Sequence, residues 1–329
     1  MTFVTEDEFI ILFDAPNHEG NCHSLDDLRL LASAGIRTAI LTNQHMDRPQ
    51  ATEDTLNRYA KAGIKVLLPL WSMHSAKCLT DWYSRDTHGS IGWVGAQREY
   101  ILSPWHLRAQ EWLQEELRKW KAQYQSSTVQ IVTPIIRDGE SVMPQDPRCY
   151  DRAALASWHK INSATSPDMN DELCREWIKA EYTRMMVNLQ RILVDSPWRE
   201  IWTMFHLPKA SRPACGVDWV EDYYKAFQEL KPSAVNHITF SYFNFPKIER
   251  QIHNIQTRHN TIEWAGAEYC EGLRDGNGTR AINQGLRGMI LSPLHYFTGH
   301  LQIKPWMIET ISKTIEDYRQ LAGARSLIA

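Results

Sequence analysis

The sequence predicts an α/β fold: a single-domain (β/α)8 TIM barrel over residues 1–329, with long loops after strands three and four. Three observations predict it. Eight short apolar runs each end in a cluster of polar or aromatic residues, helical patterns lie between the runs, and two early units share one internal pattern at a spacing of 28 residues. Strand–helix alternation implies a parallel sheet covered by helices. Eight repeats in 329 residues fit a closed barrel better than an open sheet.

The runs cover residues 9–13, 38–41, 65–70, 129–136, 201–205, 237–243, 261–267 and 289–291. The two similar units are Leu31-Ala-Ser-Ala-Gly-Ile-Arg-Thr and Tyr59-Ala-Lys-Ala-Gly-Ile-Lys-Val. In each, alanines permit a closely packed helix, and Gly35 or Gly63 occupies the C′ position where positive φ is wanted before the next strand. Ser24-Leu-Asp-Asp supplies an N-cap and an acidic third residue for the first helix. Residues 107–124 carry an apolar stripe at helical spacing with a charged opposite face. A long helix follows at 172–194, stopped by Pro197. Helices at 219–230, 247–258 and 305–321 complete the layer, and after strand seven only 280–286 reads as helix because Asp275-Gly-Asn-Gly-Thr reads as a loop. The connections 74–105 and 141–171 exceed the usual few residues of a strand–helix link and are rich in Trp and Tyr.

The apolar fraction of 43% supports a large core, and the net charge of −3 supplies no global field for nucleic acid or an anionic membrane. No apolar stretch approaches a membrane span, and the acidic N-terminus has no secretory pattern, so a cytoplasmic location is expected. Six cysteines without a Cys-x-x-Cys pair read as buried or free thiols, not as a disulfide framework. Thirteen tryptophans are the outlier, several of them in the long connections.

A barrel of this kind works at the C-terminal ends of its strands. Those ends carry Asp14 and His18, Asn43, Trp71, Arg137 with Asp138 and Glu140, His206, Tyr242 with Asn244, Glu268 with Glu271, and His295 with Tyr296. The set is rich in carboxylates, imidazoles, amides and aromatics. It holds no Gly-x-Gly-x-x-Gly after a strand and no P-loop, which disfavours a nucleotide or phosphosugar, and no cofactor is expected. A sugar fits the mixture, because its ring faces lie on aromatic rings while its hydroxyls need polar partners. Cleaving a glycosidic bond needs two carboxyl groups, one to protonate the leaving oxygen and one to attack carbon or activate water. Strands four and seven are nearly opposite in an eight-stranded barrel, so Glu140 and Glu268 are the natural pair.

The segment Ile262-Glu-Trp-Ala-Gly-Ala-Glu268-Tyr resembles the seventh strand of the large retaining glycoside hydrolase superfamily that includes cellulase-like and β-galactosidase-like barrels. The resemblance implies that Glu268 is the nucleophile, that the acid/base carboxyl ends strand four, and that Tyr242 in Thr239-Phe-Ser-Tyr holds the nucleophile. Where that superfamily carries Asn-Glu, this sequence has Ile136-Arg-Asp-Gly-Glu140, and its aromatic after strand eight is Tyr296 or Phe297 instead of tryptophan. The implied substrate is an oligo- or polysaccharide, with Asp14, Asn43, His206 and His295 on its hydroxyls.

Three alternatives stay open. Asp138-Gly-Glu140 also resembles the Asp-x-Glu of chitinase-like barrels, in which the substrate's own acetamido group attacks. The irregular strand-four pair fits a non-catalytic carbohydrate-binding barrel as well. Asp14, His18, His206 and His295 are a possible metal set, but strand one lacks the His-x-His that metal-dependent hydrolase barrels need, so no metal is assigned.

Overall fold

The computed structural model describes residues 9–14, 23–41, 53–69, 74–75, 78–91, 93–94, 99–123, 129–136, 142–143, 146–147, 149–163, 166–168, 170–194, 201–206, 235–240, 263–283, 288–292 and 303–326. The principal strands are β1 (Ile10–Asp14), β2 (Thr38–Leu41), β3 (Lys65–Pro69), β4 (Val129–Ile136), β5 (Ile201–His206), β6 (Val235–Phe240), β7 (Glu263–Tyr269) and β8 (Gly288–Ser292). They are hydrogen-bonded, all parallel, in the closed order β1-β8-β7-β6-β5-β4-β3-β2. Each apolar run of the sequence therefore forms a strand. Several boundaries move by a residue, and strands six and seven gain two each where the ladder with a neighbour continues and the apolar run does not. Strand six begins at Val235, paired with Ile201, and strand seven runs on to Tyr269, paired with Ser292.

Around the ring lie α1 (Leu25–Ser33), α2 (Glu53–Ala62), α3 (Leu107–Gln123), α4 (Arg152–Ile161), α5 (Glu172–Val194), α6 (Cys270–Arg274), α7 (Asn277–Asn283) and α8 (Pro305–Ser326). The helices expected at 219–230 and 247–258 lie outside the described residues. Ser24 caps α1 by accepting from the Asp27 backbone N–H at 3.1 Å. Helices α1 and α2 end identically. Gly35 (φ +106°) and Gly63 (φ +74°) turn the chain, and Ile36 and Ile64 donate back to Leu31 and Tyr59 at 3.1 and 3.0 Å, which is the Schellman arrangement.

The apolar residues of the strands divide into two layers. Ile10, Leu12, Ala39, Leu41, Val66, Met289 and Leu291 join one cluster with Leu28, Leu31, Ile311 and Ile315 of the helices. Ile11, Ile40, Leu67 and Ile290 are equally buried but stand outside that cluster, and they alternate with its members along the strands. Alternation of period two separates a helix-facing layer from the filled interior of the ring.

Two expectations are corrected. After strand seven there is no single helix at 280–286 behind a loop; α6 follows β7 directly, and α7 begins at Asn277. Gly276 (φ +92°) makes the turn. Gly278 instead lies inside α7, where an added Cβ would stand 2.5 Å from Thr314 Cγ2 of α8. That glycine serves close helix packing.

The long connections are also more ordered than loops. The one after β3 contains a three-stranded antiparallel sheet (His74–Ser75, Trp93–Val94, Glu99–Ile101) and a 3-10 turn at Thr80–Trp82. The one after β4 contains a short ribbon (Val142–Met143 with Asp146–Pro147) and α4. Aromatics of these segments pack inward. Trp158 is fully buried, with its ring 5.2 Å from Trp177 of α5, and Trp105 stacks on Trp177 at 4.6 Å. Trp177 Nε1 donates to Ser157 Oγ at 3.2 Å. The two insertions touch, since the Tyr150 N–H donates to the Arg85 carbonyl at 3.0 Å.

Candidate active site

Parallel pairing puts the C-terminal ends of all eight strands on one rim. Asp14 is the last residue of β1 and is level with Leu41, the end of β2. His206 ends β5 and is level with Phe240, the end of β6. Glu268 is the penultimate residue of β7, level with Leu291, and Tyr269 is level with Ser292 on the final rung. In the ring order β1 and β5 are diametrically opposed, and β7 lies midway between them. The rim thus gathers Asp14, His206 and Glu268 from three separate strands. Glu271 stands one helical step further, within α6, which starts at Cys270 with no linking loop.

Strand β4 ends at Ile136, the residue before Arg137. Arg137, Asp138 and Glu140 lie outside the described residues, as do His18, Asn43, Trp71, Tyr242, Asn244, His295 and Tyr296. Among the described residues no group of three His, Cys, Asp or Glu side chains is placed to hold a metal ion. No helix among them is long and apolar enough to cross a membrane.

One feature of the rim escaped the sequence reading. The described pairings slip at two places only, on the strands that lead to the proposed carboxylates. Thr203 pairs with Thr133 and Phe205 with Ile136, so β4 carries one residue more than β5 there. Ala265 pairs with Met289 and Ala267 with Ile290, so β7 carries an extra residue at Gly266. Bulges collect at barrel rims beside active sites, where they shift the in–out alternation of everything that follows. Both had a sequence signal: a proline (Pro134) and a glycine (Gly266) inside a strand each mark a bulge. The apolar run ends at Ala267, so the extension of β7 to Tyr269, paired with Ser292, shows only in the ladder.

No family model matches the chain, and no curated protein matches it. Solved structures do. The β-galactosidase of psychrophilic Marinomonas ef1 superposes with a TM-score of 0.66 over 97% of this chain and 60% of its own, at 12% identity. The β-galactosidase of the Antarctic haloarchaeon Halorubrum lacusprofundi gives 0.62 over 94% of this chain and 58% of its own, at 11% identity. The PgaB (BpsB) glycoside hydrolase domain of Bordetella bronchiseptica gives 0.58, covering 94% of this chain and 98% of that domain, at 13% identity. The likeness is one of fold. This chain spans about 60% of the two β-galactosidases and nearly the whole of the Bordetella domain.

Proposed function

We propose that this chain is a glycoside hydrolase that cleaves an oligo- or polysaccharide by a retaining mechanism. The observation that carries the reading is Glu268, placed on the final rungs of β7 just past the Gly266 bulge, in a fold shared over most of the chain with three glycoside hydrolases. Residues 1–329 act as one catalytic unit. Glu268 attacks the anomeric carbon. Glu140 protonates the departing oxygen and then, as the carboxylate, takes a proton from the water that releases the sugar. Tyr242 orients Glu268, while Asp14, Asn43, His206 and His295 hold sugar hydroxyls and Trp71 carries a ring face. Asp138 and Arg137 set the charge around Glu140. His18, Asn244, Glu271 and Tyr296 border the sugar.

Retention by a covalent intermediate requires the two carboxyls to stand about 5–5.5 Å apart, against ~6.5–9.5 Å for inversion. The test is a screen of defined glycans with the unaltered chain, followed by Glu268→Gln and Glu140→Gln on whichever substrate turns over. Loss of turnover on the order of 10³-fold or more in both variants is expected, with the product anomer retained by NMR. A Glu268→Gln chain that keeps its rate removes the nucleophile assignment. If Glu140→Gln and Asp138→Asn are then inactive on acetamido sugars, the substrate-assisted route replaces it. A chain that binds glycans and hydrolyses none is a binding barrel.

A further inference from the structure

Where the insertion after β3 joins α3, two short segments meet, 79–82 and 106–107. The Ser103 N–H donates to the Trp82 carbonyl at 2.8 Å, and an antiparallel bridge between Tyr83 and Leu102 lies beside it. Leu79 and Leu107, at 60% and 67% exposure, are the two most exposed large apolar side chains among the described residues. Trp82 is half-buried and packed against the core, with its ring 5.8 Å from that of His106 and inclined to it by 36°. His106 Nδ1 accepts from the Ala109 N–H at 3.3 Å and so caps α3. That contact fixes the imidazole and leaves its own N–H on Nε2. Nε2 stands 3.9 Å from Asp81 Oδ2, too far for a direct hydrogen bond, and the Asp81 side chain is open to solvent at 72% exposure.

We propose that Trp82, Asp81 and His106 form a second sugar-binding site, apart from the strand ends, at which one pyranose of a polysaccharide docks. The choice of ligand rests on the glycosidase reading. The gap between Nε2 and Oδ2 admits one oxygen about 2.8 Å from each, and that oxygen must accept from the imidazole and donate to the carboxylate. A hydroxyl does both at a single atom, whereas a carboxylate cannot donate and an ammonium cannot accept. The indole takes the apolar face of the same ring, with Leu79 and Leu107 at its edges. A protein partner fits less well, since a stable interface takes roughly 20–30 residues a side and this patch offers a handful. The insertion leaves the C-terminal end of β3, and α3 runs from it back towards the start of β4. The patch therefore lies on the same side of the barrel as the rim that carries Glu268, which suits a polymer held at both places.

The test is affinity electrophoresis of the full chain through native gels that contain β-glucan, β-1,4-galactan or glycol chitin, with Glu268→Gln present to prevent digestion of the polymer. Retardation by at least one polymer is expected. Asp81→Ala, His106→Asn and Trp82→Leu should each raise the dissociation constant for that polymer about tenfold or more. Asp81 is exposed and asparagine keeps the α3 cap, so the first two variants stay folded even if the third does not. Assays of the same substitutions without Glu268→Gln separate this site from the hydrolase reading. A chain that hydrolyses no screened glycan, yet loses retardation with Asp81→Ala, upholds the site alone. A chain that hydrolyses a polymer, with retardation untouched by all three substitutions, overturns the site alone. Retardation by none of the three polymers overturns it as well. So does a concentration-dependent dimer in sedimentation that Leu107→Ser disperses, which would give the patch to a second copy of the chain.

Discussion

Replacing Trp158 with alanine tests whether the insertion after β4 belongs to the core. The side chain is fully buried between α4 and α5, and its ring meets Trp177 at 5.2 Å and 54°. Truncating a buried tryptophan costs about 3–5 kcal/mol through lost transfer and the cavity left behind. The tilted ring pair adds about 0.5–1.5 kcal/mol. Trp177 keeps its Trp105 stack and its bond to Ser157, which limits collapse into the hole. The expected loss is therefore about 4–6 kcal/mol, a large part of the ~5–15 kcal/mol that holds a domain together. Urea unfolding followed by far-UV circular dichroism measures it without depending on the indole that was removed. Trp158→Phe, which keeps most of the volume, should lose about 1–3 kcal/mol and guards against an alanine variant too unstable to purify. A loss under ~1 kcal/mol for alanine would refute the assignment, because a side chain on a mobile flap has little burial to lose.

Three further outcomes follow from described residues. An added Cβ at Gly35 would stand 2.7 Å from Ile315 Cδ1, whereas one at Gly63 would meet nothing within 4 Å, and both glycines hold positive φ. Gly63→Ala should cost about 1 kcal/mol of backbone strain and Gly35→Ala about 2–4 kcal/mol in thermal melts, with equal costs counting against the packing role. Asp151 caps α4 through Oδ1, and burial raises its carboxyl above the ordinary 3.8, so the folded chain binds the proton more tightly than the unfolded one. That contribution is complete below 3.8 and fades as pH rises through the folded value. Asp151→Asn keeps the cap and should gain on the parent chain as pH climbs from acid towards neutral; a pH-independent difference in urea midpoint contradicts this. Deleting Gly266 removes the extra residue of β7 and reverses the alternation of 267–269 against β8. Glycan turnover should fall by at least ~10²-fold while the circular dichroism spectrum persists, and an active deletion chain would detach the bulge from catalysis.

The ring was legible because each strand is a short apolar run, and an apolar run reports burial whatever surrounds it. The ends of α1 and α2 were legible because Ser24, Gly35 and Gly63 act within their own turn. What failed was information held by partners. Residues 152–161 read as part of a long loop although Asp151 is a good cap and Arg152-Ala-Ala-Leu a good helix start, because the face that α4 buries is met by Trp177 rather than by a strand. Asn277-Gly-Thr read as a turn because glycine breaks helices in isolation; only Thr314 on another helix shows why it is needed. Tryptophan is ambiguous for a related reason, since one indole suits a sugar face and a helix–helix seam equally. The rim positions Asp14, His206 and Glu268 could be named from the ends of the runs. The bulges of β4 and β7 left a local mark, Pro134 and Gly266, but the register they set belongs to two strands at once.

The packing of α4 bears on what the long connections can do. Tryptophan-rich segments beside an active-site rim would suit a cleft or a closing lid. A lid must part from the body, and here parting carries a cost that can be bounded. The Trp105–Trp177–Trp158 stack would open, with about 0.5–1.5 kcal/mol for each ring pair and about 1.5–3 kcal/mol for re-exposing the fully buried Trp158. The hydrogen bond from Trp177 to Ser157 would break as well, adding ~1 kcal/mol. The sum, about 4–7 kcal/mol, leaves an open state populated at about one part in 10³ or less. A segment closed to that degree serves as a fixed wall. On the proposed reading, the described stretches 99–106 and 149–163 of these connections are therefore preformed, and any share they take in sugar recognition comes from shape held in advance rather than from closure over the substrate.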